Sequence, residues 1–425
     1  MNGLHRVAGA SMLAFGCAVQ AHAAGLSCEV GSYRLTDGVV LDVGPADQGR
    51  LRWRREDGVT GTLTPHDDGR WTSTLGWTGK PDGHSVSFDC QRAGLRFDAV
   101  TGQRIALLQT DTRFQGSGVT LAGRLTLPPG NARVPIVVLV HGAEHDSAIE
   151  FNSLQRRFAA AGIGTFVYDK RGTGASAGRY SQDYLLLATD AVLAAREAKR
   201  LAGARAGRIG YQGASQGGWV APLAARIEPV DFVIVSFGLA VSPIEEDREA
   251  IAYDIERAGY GADIEAKAMQ VADATAAIVV SNFTEGFEQL DEVKKKYGAE
   301  PWFKAVRGNV SGYILDAAPD TIRKQFPALL EGMPAQYDPM PVLENLQVPQ
   351  LWILGGKDKD APPAETIRRL ARLRKAGRPI AMQIFPNAEH GMYEFEIAAD
   401  GERLSTRQPA GYFAKMCDFI KAKRH

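Results

Sequence analysis

At 425 residues the chain has room for about two or three compact units. Its composition, 45% hydrophobic and 23% charged, excludes a disordered tail, a collagen-like fibre and a disulfide mini-scaffold. Lys+Arg and Asp+Glu are equal at 49 each, so no global field favours nucleic acid or an anionic membrane as a partner, while a local basic patch stays open.

The chain opens with His5 and Arg6, an apolar run from Val7 to Val19, and the A-x-A pattern Ala21-His22-Ala23. Residues 1–24 read as a secretory signal peptide, which predicts a periplasmic or secreted protein. The run is too short to span a bilayer comfortably and no later run reaches about 18 apolar residues, so no stable membrane insertion is expected after cleavage. Cys28, Cys90 and Cys417 remain. Cys28 and Cys90 bracket one Gly-rich region, are its only cysteines, and are predicted to form a disulfide, the bond an oxidising compartment preserves. Closing that loop would stabilise the unit by about 4 kcal/mol in the chain-entropy picture. Cys417 falls on an expected C-terminal helix, as a core residue.

Residues 25–112 read as an all-β domain. Short β-forming stretches such as Val39 to Val43, Leu51 to Arg54 and Ser85 to Phe88 are separated by turn signals such as Asp57-Gly58 and Asp68-Gly69. A small sandwich or curled sheet is expected, with no catalytic constellation. From 113 the rhythm changes. Val134 to Val140 is a near-continuous apolar run, as in a strand buried on both faces. Strands expected at 164–168, 209–212 and 232–237 alternate with helices, which is the signature of a parallel sheet. The alternation stops near Leu239. Residues 243–338 carry charged, Ala-rich helical stretches, read as a helical cap or lid inserted between two strands of one domain. The sheet pattern resumes over 339–425.

The chemistry-bearing signal is Gly213-Ala214-Ser215-Gln216-Gly217. A serine at a sharp strand-to-helix turn projects its hydroxyl above the sheet, and the new helix aims N–H groups at a developing oxyanion. A second copy, Gly174-Ala175-Ser176-Ala177-Gly178, has no strand directly before it, so context selects Ser215. A serine hydroxyl needs a base, and this architecture orders the partners Ser, then acid, then His. Only His390 and the terminal His425 follow Ser215; His390 stands just after an expected strand. The orienting acid belongs after the strand Leu351 to Leu354, where Asp358 is preferred and Asp360 is the fallback. Backbone N–H groups of Gln216 and Ala143 are the expected oxyanion donors.

These stretches resemble the α/β-hydrolase superfamily, and in particular its secreted bacterial serine esterases. The matching residues are His141-Gly142, Tyr168 to Ser176, Gly213 to Gly218, Tyr337-Asp338-Pro339, Asp358 and His390-Gly391, in this order, over about half the chain. The resemblance implies a mostly parallel sheet flanked by helices, with carboxylic-ester hydrolysis through an acyl-enzyme and without metal or organic cofactor. Where many relatives carry Gly-Ser-Gly-type residues after the first His-Gly, this chain has Ala143-Glu144-His145-Asp146. It does not extend to the N-terminal β region.

Two other enzymatic readings stand beside this one. A serine aminopeptidase would use the acidic run Glu245-Glu246-Asp247 to hold a substrate amine. A zinc hydrolase would use His141, Glu144 and His145, an H-x-x-E-H pattern, although zinc needs both histidines on one helical face and Gly142 follows a strand. A non-enzymatic exported binding module built on the β domain is the third.

Overall fold

A computed structural model describes residues 28–422; the signal segment expected over 1–24, and His425, lie outside them. The N-terminal unit is a closed barrel of eight antiparallel strands. They are β1 (Gly31–Leu35), β2 (Val40–Pro45), β3 (Leu51–Arg55), β4 (Thr60–Pro65), β5 (Arg70–Leu75), β6 (Pro81–Asp89), β7 (Gly94–Phe97) and β8 (Val100–Arg104). It is neither a sandwich nor an open curled sheet. Tyr33 of β1 pairs with Leu41 on one side and Arg104 on the other, so no edge is left unpaired. Alternate residues point inward, and Tyr33, Leu41, Leu51, Trp53, Leu63 and Val86 fill the interior. Cys28, ahead of β1, is disulfide-bonded to Cys90 in the turn after β6.

The second unit starts with β9 (Leu108–Gln115), which pairs along its length with β10 (Thr120–Leu127). Leu108 to Thr112 therefore belong to this sheet and not to the barrel, because a strand's membership is decided by its partner, which composition does not reveal. β11 (Val134–Val140), β12 (Gly164–Tyr168), β13 (Ala206–Ala214), β14 (Phe232–Ser236), β15 (Gln350–Gly355) and β16 (Ile380–Phe385) complete an eight-stranded sheet ordered β16-β15-β14-β13-β11-β12-β10-β9. The strands from β11 to β16 run parallel; β9 and β10 are antiparallel.

Helices cover both faces. α1 (Ala148–Phe151), α2 (Leu154–Ala160), α3 (Tyr184–Ala202) and α4 (Gly217–Ile227) precede the insertion. Leu187, Ala188 and Ala191 of α3 and Val220 and Ala221 of α4 pack on one face, with Val138 of β11. Phe158 of α2 packs on the other, with Val137 and Leu139. Successive β11 residues thus serve opposite cores, which is why that strand is apolar throughout.

Between β14 and β15 the chain forms α5 (Pro243–Arg257), α6 (Ala262–Val280), α7 (Phe287–Tyr297), α8 (Ser311–Asp316) and α9 (Pro319–Leu329). Ser242 and Glu245 start α5 with a capping box and Pro243 occupies its first turn. Then come α10 (Met340–Asn345), α11 (Ala364–Lys375), and a small antiparallel sheet of β17 (Ala388–Glu389), β18 (Tyr393–Ile397) and β19 (Arg403–Arg407). α12 (Tyr412–Lys421) ends the described chain and buries Cys417. No helix among the described residues is long and apolar enough to cross a membrane. The barrel docks on the second unit partly through a buried ion pair, Arg156 of α2 with Asp42 of β2, at 2.8 and 3.0 Å.

Candidate active site

β13 delivers Ser215 at its C-terminal end. The backbone there turns sharply: Ser215 has φ 52°, its N–H donates to Ser236 O, and its carbonyl accepts from Gly218 N–H at 2.7 Å. A non-glycine residue in the left-handed region is strained, and such strain persists only where the surroundings hold it. The flanking glycines follow from close approach. A Cβ on Gly213 would lie 2.1 Å from Gly217 O, and one on Gly217 would lie 2.4 Å from Val140 O.

The loop after β15 and the turn after β17 supply the partners. His390 Nε2 lies 3.0 Å from Ser215 Oγ. Its Nδ1 lies 3.0 and 3.2 Å from the two Asp358 carboxylate oxygens. Asp358 follows β15 and is 1% exposed; its Oδ1 also accepts from Asp360 N–H and Ala361 N–H, so its orientation is fixed. Asp360, the fallback acid, instead pairs with Lys359 at 2.9 Å. His390 begins the three-residue turn between β17 and β18 and packs edge-on to Phe237 at 5.0 Å.

Burial alone would lower the His390 pKa. The Asp358 carboxylate, with Asp360 and Glu246 behind it, outweighs that and raises it to about 9. Glu246 of α5 is pushed up to about 8 by burial, helped by Asp358, Asp247 and Asp360 and opposed by His390. The neighbours of Glu246 are engaged elsewhere: Glu245 with Arg369 and the α5 cap, Asp247 with Ser311 and the backbone of Asn309 to Ser311.

The loop after β11 stands beside the serine, since a Cβ on Gly142 would lie 3.2 Å from Ser215 Cβ. The backbone N–H groups of Gln216 and Ala143 form no hydrogen bond among the described residues, which leaves both as free donors. Three residues given no role in the sequence analysis hold this region. Lys170 Nζ donates to Gly142 O at 2.8 Å and Tyr180 Oη donates to Ala143 O at 2.7 Å. The buried Gln182 accepts at 2.9 Å from the Gln216 side-chain amide and donates at 2.9 Å to Leu329 O at the end of α9. Only folding brings these groups together, so no local pattern could have marked Gln182.

His141 is a structural residue of that loop: its Nε2 accepts from Lys170 N–H at 3.2 Å. His145 stacks on Tyr180 with ring centres 3.7 Å apart. His141 Nδ1 lies 3.6 Å from Glu144 Oε1, but the two do not form a cluster of metal-like spacing with His145; among the described residues the one such cluster contains the disulfide cysteines Cys28 and Cys90. Ser176, of the second G-x-S-x-G, donates to Asp169 O and accepts from Ala122 N–H, holding its own loop.

No curated protein matches the chain. Similar solved structures include an esterase of Pyrococcus furiosus, 14% identical over 67% of this chain and 84% of that one, TM-score 0.42. Another is the acylaminoacyl peptidase of Pyrococcus horikoshii, 14% identical over 90% of this chain and 57% of that one, TM-score 0.46. The chain thus spans little more than half of that peptidase. A thermophilic esterase of Thermogutta terrifontis is 20% identical over 66% of this chain and 91% of that one, TM-score 0.38. The model of the alpha/beta hydrolase family matches residues 137–400, more than half of the chain, and the chain belongs to that family.

Proposed function

We propose that the chain is a serine hydrolase that cleaves carboxylic esters, with Ser215 as nucleophile, His390 as general base and Asp358 as its orienting acid. The observation that carries this reading is the unbroken relay from Ser215 Oγ through both nitrogens of His390 to Asp358. His390 Nε2 takes the hydroxyl proton as Ser215 Oγ attacks the carbonyl carbon. Asp358 holds the imidazole tautomer and stabilises the imidazolium. The Gln216 and Ala143 N–H groups receive the oxyanion, and losing one such donor typically costs about 3 kcal/mol. His390 then returns the proton to the leaving alcohol. In the second half a water gives its proton to His390, attacks the acyl-serine and releases the acid. No step calls on a metal or organic cofactor.

The helices α5 to α9 act as the cap of this site. Under them lies a pocket bordered by Ala143 and Gln182 on one side and by Val310, Phe326, Leu329 and Leu330 on the other. The leaving alcohol must face His390, which protonates it. This pocket contains no residue of the His390 or Asp358 loops, so it suits the acyl substituent. Of its polar members, Gln182, Tyr180 and Asn309 have hydrogen bonds elsewhere, and His145, whose pKa burial and Lys170 lower, lies stacked on Tyr180. An uncharged, apolar acyl group therefore fits it, because a charged one would be desolvated without a partner. The Cys28–Cys90 bridge supports export to an oxidising compartment.

Ser215→Ala should lower kcat on an aryl acetate by about a million-fold while leaving the fold intact. Ordinary turnover by that variant would sink the assignment. The aminopeptidase reading is favoured by Glu246, the one acid of its run left to face His390. Faster cleavage of an unblocked aminoacyl anilide than of the acetate would establish it instead.

A further inference from the structure

The sequence assigns no role to the N-terminal barrel, yet its β5–β6 turn presses on the segment that carries His390. The carbonyl oxygens of Ser405 and Thr406 of β19 approach Gly76 so closely that a Cβ there would lie 2.4 Å from each. Trp77 N–H donates to Ser405 O at 2.8 Å, and the Trp77 indole packs edge-on to Tyr393 at 4.4 Å. The turn is itself braced: the buried Arg52 lies 3.5 Å from the Trp77 ring centre and donates to Gly76 O at 2.9 Å.

Two short routes lead from these contacts to the relay, and a third starts from Arg403 of the same β19. Tyr393 folds its ring over Gly391, where a Cβ would lie 2.8 Å from the ring, and Gly391 follows His390. Ser405 Oγ donates to the Glu389 carboxylate at 3.1 Å, and Glu389 precedes His390. Arg403 donates to Lys357 O at 2.6 Å, one residue before Asp358. β17 is only two residues long, so the hairpin offers His390 little support of its own.

We propose that the barrel is a clamp for the acid–base half of the site, with Trp77 as the positioning residue that sets the His390 imidazole against Asp358 and Ser215. This rests on the roles given to Ser215 and His390 above. The charged groups that act most strongly on His390 are Asp358 and Asp360 from the loop after β15 and Glu246 from α5, none of them a barrel residue. The barrel is therefore expected to act on the titration of His390 through its position. Loosening the clamp separates imidazole from carboxylate, so His390 loses protons at lower pH.

Trp77 is 39% exposed, so its truncation leaves the barrel interior filled. The test compares the full-length wild type, Trp77→Ala and Trp77→Phe on 4-nitrophenyl acetate, with active sites counted by a serine-directed phosphonate. For Trp77→Ala, kcat per titrated site should fall about tenfold or more, since a misplacement near 1 Å costs up to about a hundredfold. KM should change less than about twofold. The acid limb of kcat/KM should move down by about half a pH unit, and Trp77→Phe should recover most of the rate. Wild-type kcat per site in Trp77→Ala, or a loss with the acid limb unmoved, overturns the clamp. A wild type that neither reacts with the phosphonate nor turns over would overturn the reading of Ser215 instead.

Discussion

Two bodies flank the Ser215–His390–Asp358 relay, and they meet it differently. The barrel touches the His390 side through backbone and aromatic contacts with no gap between Gly76 and β19. The helical insertion touches the Ser215 side through a polar link, Leu329 O to Gln182 to Gln216, encloses a pocket beside it, and sets only the charge of Glu246 from α5 near His390. One neighbour fixes geometry and the other makes room. On the proposed reading, the difference teaches that the position of the imidazole and the fit of the acyl group rest mainly on separate parts of the chain, so substitutions on the two sides should fail in different ways.

The largest effect should come from the relay that both sides share. Asp358→Asn keeps the shape but favours the wrong imidazole tautomer, and kcat should fall about ten-thousandfold. A loss within about tenfold in steady-state assays would show that Asp358 does not orient His390. On the insertion side, Leu330→Trp fills the pocket. Turnover of a hexanoyl ester should drop about a hundredfold while the acetyl ester is nearly spared, a size discrimination typical of apolar pockets. Equal losses on both esters would break the division of labour. The smallest effect concerns charge. Ionised Glu246 helps hold the His390 proton, and Glu246 itself is poised at about 8. Glu246→Gln removes that help, so the acid limb of the kcat/KM profile should shift to lower pH with the plateau little changed. A shift to higher pH would contradict the sign of the interaction.

The hydrolase sheet and the stretches that carry the proposed relay were largely legible in the sequence, and the reason is physical. A buried parallel strand must be apolar on both faces, as Val134 to Val140 is, and the tight turn at Ser215 leaves space only for glycine at 213 and 217. Those constraints are local and leave a mark. The closed barrel was not legible, because closure depends on β1 meeting β8 about seventy residues later. Gln182 was hidden for the same reason: its partners, Gln216 and Leu329, lie 34 and 147 residues away. The choice of Asp358 over Asp360 was framed by spacing, but only the fold shows Asp360 turned to Lys359.

The ion pair of Arg156 with Asp42 has a consequence for the ancestry and re-engineering of this chain. Each group is buried, and removing one partner leaves an uncompensated charge worth about 3–5 kcal/mol. The barrel is therefore not a detachable bead on a string. Grafting it onto another hydrolase, or trimming it away, demands a matching change at the acceptor helix, and a chimera made without one should express poorly even though each half has its own core.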